Sequence, residues 1–137
     1  MNNGLFLIIA GPTAVGKTSL ALQLAATLDA EIISADTQQV YRGMDIGTAK
    51  PSPGQQRLHP HHGIDVRDPS QLYHLGDFLK NVAQWSTDIL SRHRVPLIVG
   101  GSGFYLNALC RQFQPVPAAP DMLVREEVRQ LIALDPD

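Results

Sequence analysis

The sequence contains little cysteine, little net charge and no long apolar run. Its one cysteine, Cys110, cannot form an internal disulfide, so we expect a reducing compartment and interpret Cys110 as a core residue. The 11 Lys and Arg against 13 Asp and Glu give a net charge of -2, which excludes a global positive field for binding nucleic acid. The apolar run from Leu5 to Ala10 is too short to cross a bilayer, and Met1 to Gly4 lacks the basic residues of a signal peptide. We therefore expect a cytoplasmic protein with no membrane partner.

The hydrophobic pattern predicts an α/β fold. Leu5 to Ala10 is typical of a strand covered on both faces, as in a parallel sheet. A helix is expected from Lys17 to about Asp29, followed by a second strand from Glu31 to Ser34. This βαβ unit favours a P-loop NTPase-like parallel sheet flanked by helices. The apolar residues expected on the buried face of the helix are Leu20, Ala21, Leu24, Ala25 and Leu28.

A long irregular segment follows from Thr37 to about Leu72, and a loop of this length in a compact domain is usually functional or mobile. Trp85 lies in register with the next helical stripe, so we expect it in the core. Arg92, His93 and Arg94 would complement the dipole at that helix's end. The later elements are expected to be a helix over Phe78 to Ile89, a strand over Pro96 to Val99, a turn at Gly100 to Gly103 and a helix over Phe104 to Leu109.

The C-terminal residues differ from the rest. We expect residues 1–113 to form the P-loop core and residues 114–137 to form a proline-rich connector and the start of a helical part. Three strands make only a small sheet, so we expect that part of a larger protein is missing. The helical stripe in this region consists of Leu123, Val124, Val128, Leu131 and Ile132.

The strongest motif is G-x-x-x-x-G-K-[ST] between the first strand and the first helix. Its glycines allow backbone N–H groups to converge on phosphate oxygens at a helix N-terminus. Lys17 adds a positive charge, and the Thr18 hydroxyl would bind Mg²⁺. The motif does not distinguish ATP, GTP or another diphosphate as the ligand. It consists of Gly11, Pro12, Thr13, Ala14, Val15, Gly16, Lys17 and Thr18.

Two further segments follow predicted strands, at the sheet edge where ligands bind in such folds. Asp36 is a candidate base or magnesium ligand, although a turn aspartate is the alternative. The turn from Gly100 to Gly103 offers amides and the Ser102 hydroxyl, or is merely a tight connection. Tyr41 and Arg42 are candidates for contacting a base or a phosphate. We interpret His59, His61 and His62 as loop residues, since no second cluster completes a zinc site.

Several blocks together closely resemble the tRNA dimethylallyltransferases, also called tRNA isopentenyltransferases. The P-loop is the first block, and the more specific second block runs from Ile33 to Pro51. The resemblance covers about Leu5 to Arg125. Its other blocks are His61 to Val66, Asp68-Pro69 with Asp77-Phe78, and Pro96 to Tyr105.

The resemblance implies transfer of a dimethylallyl group from dimethylallyl diphosphate to the exocyclic amine of the adenosine 3′ of a tRNA anticodon. Lys17 and Mg²⁺ would then stabilise the departing pyrophosphate. Asp36 would act on the amine as its base, and Ser102 would position the reacting groups. The residues that the resemblance assigns to the tRNA anticodon stem-loop are Asp36, Thr37, Gln38, Gln39, Ser102 and Arg125.

The chain departs from this family in three ways. Ser102 replaces a threonine and keeps the hydroxyl, Gly63 replaces an apolar residue in what we expect to be a tolerant loop, and family members are considerably longer. We expect a monomer. If the chain is complete, we expect weak diphosphate binding and little or no tRNA modification. A small-molecule kinase, an adenylate prenyltransferase and a non-catalytic module that binds phosphate or RNA stay open as alternatives.

Overall fold

The computed structural model describes residues 6–111. These residues form a four-stranded parallel sheet with helices on both faces. The strand order is β1-β4-β2-β3, so β4 lies between β1 and β2. This arrangement confirms the predicted α/β class. The strands are β1 (Leu7–Ala10), β2 (Ala30–Ser34), β3 (His61–His62) and β4 (Val95–Gly100), and the helices are α1 (Lys17–Leu28), α2 (Pro53–Leu58), α3 (Leu75–Ser91) and α4 (Gly103–Cys110).

The core lies on both faces of the sheet, because side chains alternate between faces along each strand. Ile32 and Leu97 face α1, where Ala21 and Ala25 allow the helix to approach closely. Their strand neighbours face the other way, into a larger cluster with α3 and α4. The buried members of that cluster are Ile33, Ala35, Phe78, Val82, Ile89, Ile98, Tyr105 and Leu106, with Trp85 packed against them as predicted.

Three expectations about packing and secondary structure are wrong. Leu20 and Leu28 of α1 are 47% and 40% exposed, because the alanines occupy the line of contact with the sheet. Cys110 is exposed, since it is the last residue of α4 and lies beyond the buried turn that contains Tyr105, Leu106 and Ala108. The segment from 37 to 72 is more regular than expected, because it contains α2 and the edge strand β3.

Arg92 and Arg94 bind carboxylates rather than the carbonyl end of α3. Arg92 donates to both carboxylate oxygens of Glu31, at 3.0 and 2.8 Å, while Arg94 binds Asp29 and Glu31. His62 Nε2 lies 2.7 Å from the same Glu31 carboxylate, whose side chain is 3% exposed. Burial favours a raised pKa for Glu31, but hydrogen bonds and charges from Arg92 and His62 outweigh it and lower the pKa to about 2. The amino end of the sheet is therefore closed by an ionic cluster around the buried Glu31 carboxylate.

Two glycines allow backbone segments to approach each other too closely for any side chain. A Cβ on Gly100 would lie 2.3 Å from the carbonyl oxygen of Ala35. One on Gly63, which has a φ of +81°, would lie 2.8 Å from the carbonyl oxygen of Ser34. Gly63 was expected to lie in a tolerant loop, and the structure shows instead that its site requires glycine.

Several expectations fall on residues outside 6–111. The beginning of the first strand, the connector, the helical stripe from Leu123 to Ile132 and Arg125 all lie there, and the boundary at 113/114 stays a prediction. Among the described helices, none combines the length and the apolar character needed to span a bilayer.

We expect Gly100→Ala to destabilise the fold by about 3 kcal/mol or more, because the added methyl group collides with the Ala35 backbone. Gly103→Ala is the matched control, since a Cβ there meets nothing within 4 Å. Urea unfolding of both variants measures the difference. Equal stability of the two variants would contradict the close contact.

We expect Glu31→Gln to cost about 2 kcal/mol near neutral pH, because it removes the buried carboxylate whose charge-assisted hydrogen bonds Arg92, Arg94 and His62 share. The folded pKa of about 2 lies below the ordinary 4.5, so the unfolded chain binds the proton first and folding loses this stabilisation as the pH falls from 4.5 towards 2. The difference in the free energy of unfolding between wild type and Glu31→Gln, measured with urea, should therefore become smaller below pH 4.5. Asp88→Asn, on the exposed face of α3, controls for the loss of one carboxylate. A difference in the free energy of unfolding that stays constant across this pH range would refute the lowered pKa of Glu31.

Candidate functional site

A cleft of about 830 Å³ lies at the carboxyl ends of β1, β4 and β2. The parallel register brings the residues after each strand to the same edge of the sheet. Four segments meet there: the P-loop, the residues from Asp36 to Gln39, the turn from Gly47 to Ala49, and Gly100 to Ser102. The sequence prediction placed Asp36 beside the P-loop. In the structure, β4 separates their two strands, so the Gly100 turn lies between them.

The P-loop passes directly from β1 into α1. Ala14 and Gly16 have positive φ values of 64° and 92°, and α1 begins at Lys17. This backbone directs the N-terminal amides of α1 towards the cleft, where an anion would be stabilised. Five of the eight motif residues line the cleft, namely Thr13, Ala14, Gly16, Lys17 and Thr18; Gly11, Pro12 and Val15 belong to the loop but do not.

The Lys17 ammonium lies between the two glycine-rich loops. Its Nζ donates a hydrogen bond to the carbonyl oxygen of Pro12. A Cβ built on Gly101 would lie 3.8 Å from this Nζ and 3.1 Å from the carbonyl oxygen of Gly11. Gly101 therefore allows the Lys17 ammonium to approach the β4 turn closely, so both loops can surround a single anionic group.

Asp36 begins a tight turn after β2. Its Oδ1 accepts hydrogen bonds from the backbone N–H groups of Gln38 at 2.8 Å and Gln39 at 3.1 Å. Asp36 is thus the turn aspartate that the sequence left open, and it also lines the cleft. Both bonds end on Oδ1, so within the described chain Oδ2 is the oxygen not used by the turn.

The three residues after Asp36 also line the cleft but differ in their side-chain contacts. Thr37 and Gln38 are exposed. Gln39 accepts a hydrogen bond from Ser34 Oγ at 2.9 Å, and its Nε2 donates to the carbonyl oxygens of Thr48 at 3.0 Å and Ala49 at 3.2 Å. Gln39 therefore holds two walls of the cleft together.

Ser102 precedes the first residue of α4 and lines the cleft. Its carbonyl oxygen accepts the backbone bond from Leu106, but its side chain makes no capping bond to the helix. The Ser102 hydroxyl is thus not required by the helix end, although the residue lines the cleft.

Sequence reasoning missed one wall of the cleft. His61 was interpreted as a loop residue, yet it lines the cleft from β3, beside Ile32 of β2. Burial lowers the pKa of His61, and its Nδ1 lies 2.8 Å from the His59 carbonyl oxygen. A carbonyl only accepts, so Nδ1 carries the proton. His61 lies in a strand only two residues long, which is too short to produce a periodic pattern in the sequence. Other lining residues that the sequence prediction did not assign include Gly47, Thr48, Ala49, Pro51, Gln55 and Ile64.

Two predicted contacts lie elsewhere. Tyr41 forms a bridge with Arg67 and Arg42 donates its N–H to the Arg67 carbonyl oxygen, and neither lines the cleft. His62 binds Glu31 at the other end of the sheet. Within residues 6–111, no group of three His, Cys, Asp or Glu side chains is arranged to hold a metal ion.

Comparison with known proteins identifies relatives of the chain along nearly its whole length. A family model described as IPP transferase matches residues 39–135, and one described as isopentenyl transferase matches residues 4–60. A tRNA dimethylallyltransferase of Halorhodospira halophila is 46% identical over 144 residues, covering 96% of this chain and 46% of the relative. The one of Chloroflexus aurantiacus is 48% identical over 127 residues, covering 93% and 43%. The chain thus spans less than half the length of these relatives.

Solved structures agree with this relationship. A tRNA isopentenylpyrophosphate transferase of Bacillus halodurans superposes with a TM-score of 0.78 at 43% identity, covering 93% of this chain and 42% of that protein. A eukaryotic dimethylallyltransferase acting on tRNA gives a TM-score of 0.73 at 29% identity, covering 96% and 36%. This similarity of fold and sequence, with the match over residues 39–135, shows that this chain belongs to the IPP transferase family.

Proposed function

We propose that this chain forms the diphosphate-binding and adenosine-binding core of an enzyme that prenylates tRNA. The reaction would transfer a dimethylallyl group from dimethylallyl diphosphate to the exocyclic amine of the adenosine 3′ of the anticodon. The observation that carries the proposal is the meeting of the P-loop, Asp36 and Ser102 in one cleft. This cleft combines a site for a leaving anion with a carboxylate and a hydroxyl for a nucleophile.

The leaving group would occupy the P-loop. As the amine nitrogen bonds to the allylic carbon, the carbon–oxygen bond breaks and its electron pair leaves with pyrophosphate. The N-terminal amides of α1 and the Lys17 ammonium stabilise the negative charge that develops on the bridging oxygen. This stabilisation grows towards the transition state, as catalysis requires.

A divalent ion fits this site. Thr18 lines the cleft near the N-terminus of α1, and Mg²⁺ prefers oxygen ligands while keeping several waters and substrate phosphates. The described residues hold no cluster of three acidic or imidazole ligands, which agrees with an ion bound mainly by its substrate. When bound, Mg²⁺ would add positive charge at the diphosphate. Thr18 is its proposed protein ligand.

The nucleophile would approach Asp36. The Asp36 carboxylate is held in place by two backbone N–H groups on Oδ1, so Oδ2 can accept the proton that the amine loses. An adenine amine is a weak nucleophile, and a fixed carboxylate contributes orientation as well as a base. The Ser102 hydroxyl would position the reacting groups, and Thr37, Gln38 and Gln39 would border an adenosine turned out of its stack.

The remaining parts of the proposal come from composition and from the resemblance. Monomeric state, a cytoplasmic location and contact of Arg125 with tRNA stay predictions. A kinase on the same scaffold is the competing function, and the ligand that the P-loop prefers separates the two.

We expect Lys17→Ala to weaken binding of dimethylallyl diphosphate with Mg²⁺ by roughly one to two orders of magnitude, because a charge-assisted contact is lost. Isothermal titration of the protein in its native length measures this, with ATP as the competing ligand. Lys80→Ala, on the exposed side of α3, is the matched control. Tighter binding of ATP, with transfer of its phosphoryl group, would support the kinase instead.

We expect Asp36→Asn to reduce kcat at least 100-fold while leaving diphosphate affinity unchanged, because a general base typically contributes about 10² to 10⁴. Asparagine keeps an oxygen that can accept the Gln38 and Gln39 N–H bonds, so the turn is retained and only the base is lost. Single-turnover transfer to tRNA measures the effect. Asp68→Asn is the control, since Asp68 makes a similar turn with Ser70 outside the cleft. Full activity of Asp36→Asn would remove Asp36 from the chemistry.

A further inference from the structure

The turn from Gly43 to Ala49, here called the lip turn, borders the cleft but takes no part in the proposed chemistry. Its last three residues line the cleft. Three of its backbone positions have positive φ, at Gly43 (75°), Gly47 (77°) and Ala49 (51°). An alanine in the left-handed region is unfavourable and persists only where surrounding contacts hold it.

Lys50 supplies much of that restraint. Its side chain is only 5% exposed, and Nζ donates to Asp45 at 2.7 Å, to Asp65 at 2.6 Å and to the Tyr41 carbonyl oxygen at 3.1 Å. These bonds close the lip turn and tie it to the segment after β3. Burial favours a lower pKa for Lys50, but the bonds to Asp45 and Asp65 outweigh it and raise the pKa, so the ammonium stays charged.

Two further contacts hold the lip turn from inside. Thr48 is 6% exposed, and its hydroxyl donates to the Met44 carbonyl oxygen at 2.7 Å. Gln39 donates to the carbonyl oxygens of Thr48 and Ala49 from the floor of the cleft. The conformation of the lip turn is therefore fixed on folding, and a partner that binds it would not have to order it.

This fixed turn exposes one apolar side chain almost completely. Ile46 is 97% exposed, whereas its neighbour Thr48 is buried. Scattered exposed hydrophobic residues are normal, but this one is next to Gly47 of the cleft wall, on a turn whose backbone carbonyl oxygens accept three hydrogen bonds. Lys50 and the exposed Arg42 offset the Asp45 and Asp65 carboxylates at this edge, so it does not repel an anionic polymer, and the adjacent cleft is where the proposed adenosine would enter.

We infer that Ile46 is a binding residue for the RNA substrate and packs on the face of a nucleobase next to the adenosine that enters the cleft. The inference rests on the proposed function. An apolar side chain inserted beside a base replaces the stacking that the base loses when its neighbour is turned out. The contact would act on RNA affinity alone, because the P-loop and Ser102 lie on other segments of the cleft.

The test compares Ile46→Ala with wild type in the protein of native length. We expect the Kd for an unmodified anticodon stem-loop to rise by roughly five- to tenfold, in line with the apolar surface removed. The Kd for dimethylallyl diphosphate and the thermal unfolding midpoint should not change. Ile46→Met, which keeps an apolar side chain, should retain most of the affinity for RNA.

Leu72→Ala is the matched control, because Leu72 is 68% exposed and does not line the cleft. Wild-type RNA affinity in Ile46→Ala would overturn the inference while leaving the proposed function intact. A lower unfolding midpoint in Ile46→Ala without a change in RNA affinity would also overturn it, since Ile46 would then pack against protein. Absence of RNA binding by wild type would instead refute the proposed function, and this inference with it.

Discussion

The close backbone contact between β4 and the end of β2 is the constraint on which the site depends. Gly100 approaches the Ala35 carbonyl too closely for a side chain, and the Ala35 N–H continues the ladder to Val99 at 2.8 Å. This contact sets where Asp36 leaves the sheet and where Ser102 enters α4. Because β1 pairs with the other edge of β4, the same strand also fixes the P-loop. One central strand thus determines the relative positions of the anion site, the carboxylate and the hydroxyl.

The described chain separates stability from function at the two ends of its sheet. At the amino end, the Glu31 carboxylate is bound by Arg92, Arg94 and His62, and these contacts serve stability only. At the carboxyl end, the polar residues Lys17, Asp36 and Ser102 line the cleft. Such groups cost folding free energy unless a ligand satisfies them, so the ionic cluster can offset a site that is left open for substrate.

The sequence predicted the elements that strong local patterns encode. The P-loop, β1, α1, β2 and β4 were placed within about two residues, because continuous apolar strands and a glycine motif are local signals. It could not predict β3 or His61, since a two-residue edge strand has no period and is defined by its pairing with Ile32 and Ile33. It also could not predict the strand order, and so missed that β4 lies between Asp36 and the P-loop. The prediction that Cys110 is buried was wrong for a related reason, because burial at a helix end depends on which other elements pack there.

Asp36 and Gln39 show why function and fold were hard to separate from sequence. Local chemistry allowed a turn aspartate as the alternative to a base or magnesium ligand, and the resemblance favoured a base. In the structure, one carboxylate oxygen accepts both turn hydrogen bonds and the other is not used by the turn. Gln39 lines the same cleft, yet its amide is used to join Ser34 to Thr48 and Ala49. A side chain already satisfied on both ends can shape a pocket but has little left to offer a ligand. The distinction between these neighbours comes from side-chain hydrogen bonds of Gln39 that span five to ten residues, which no local pattern records.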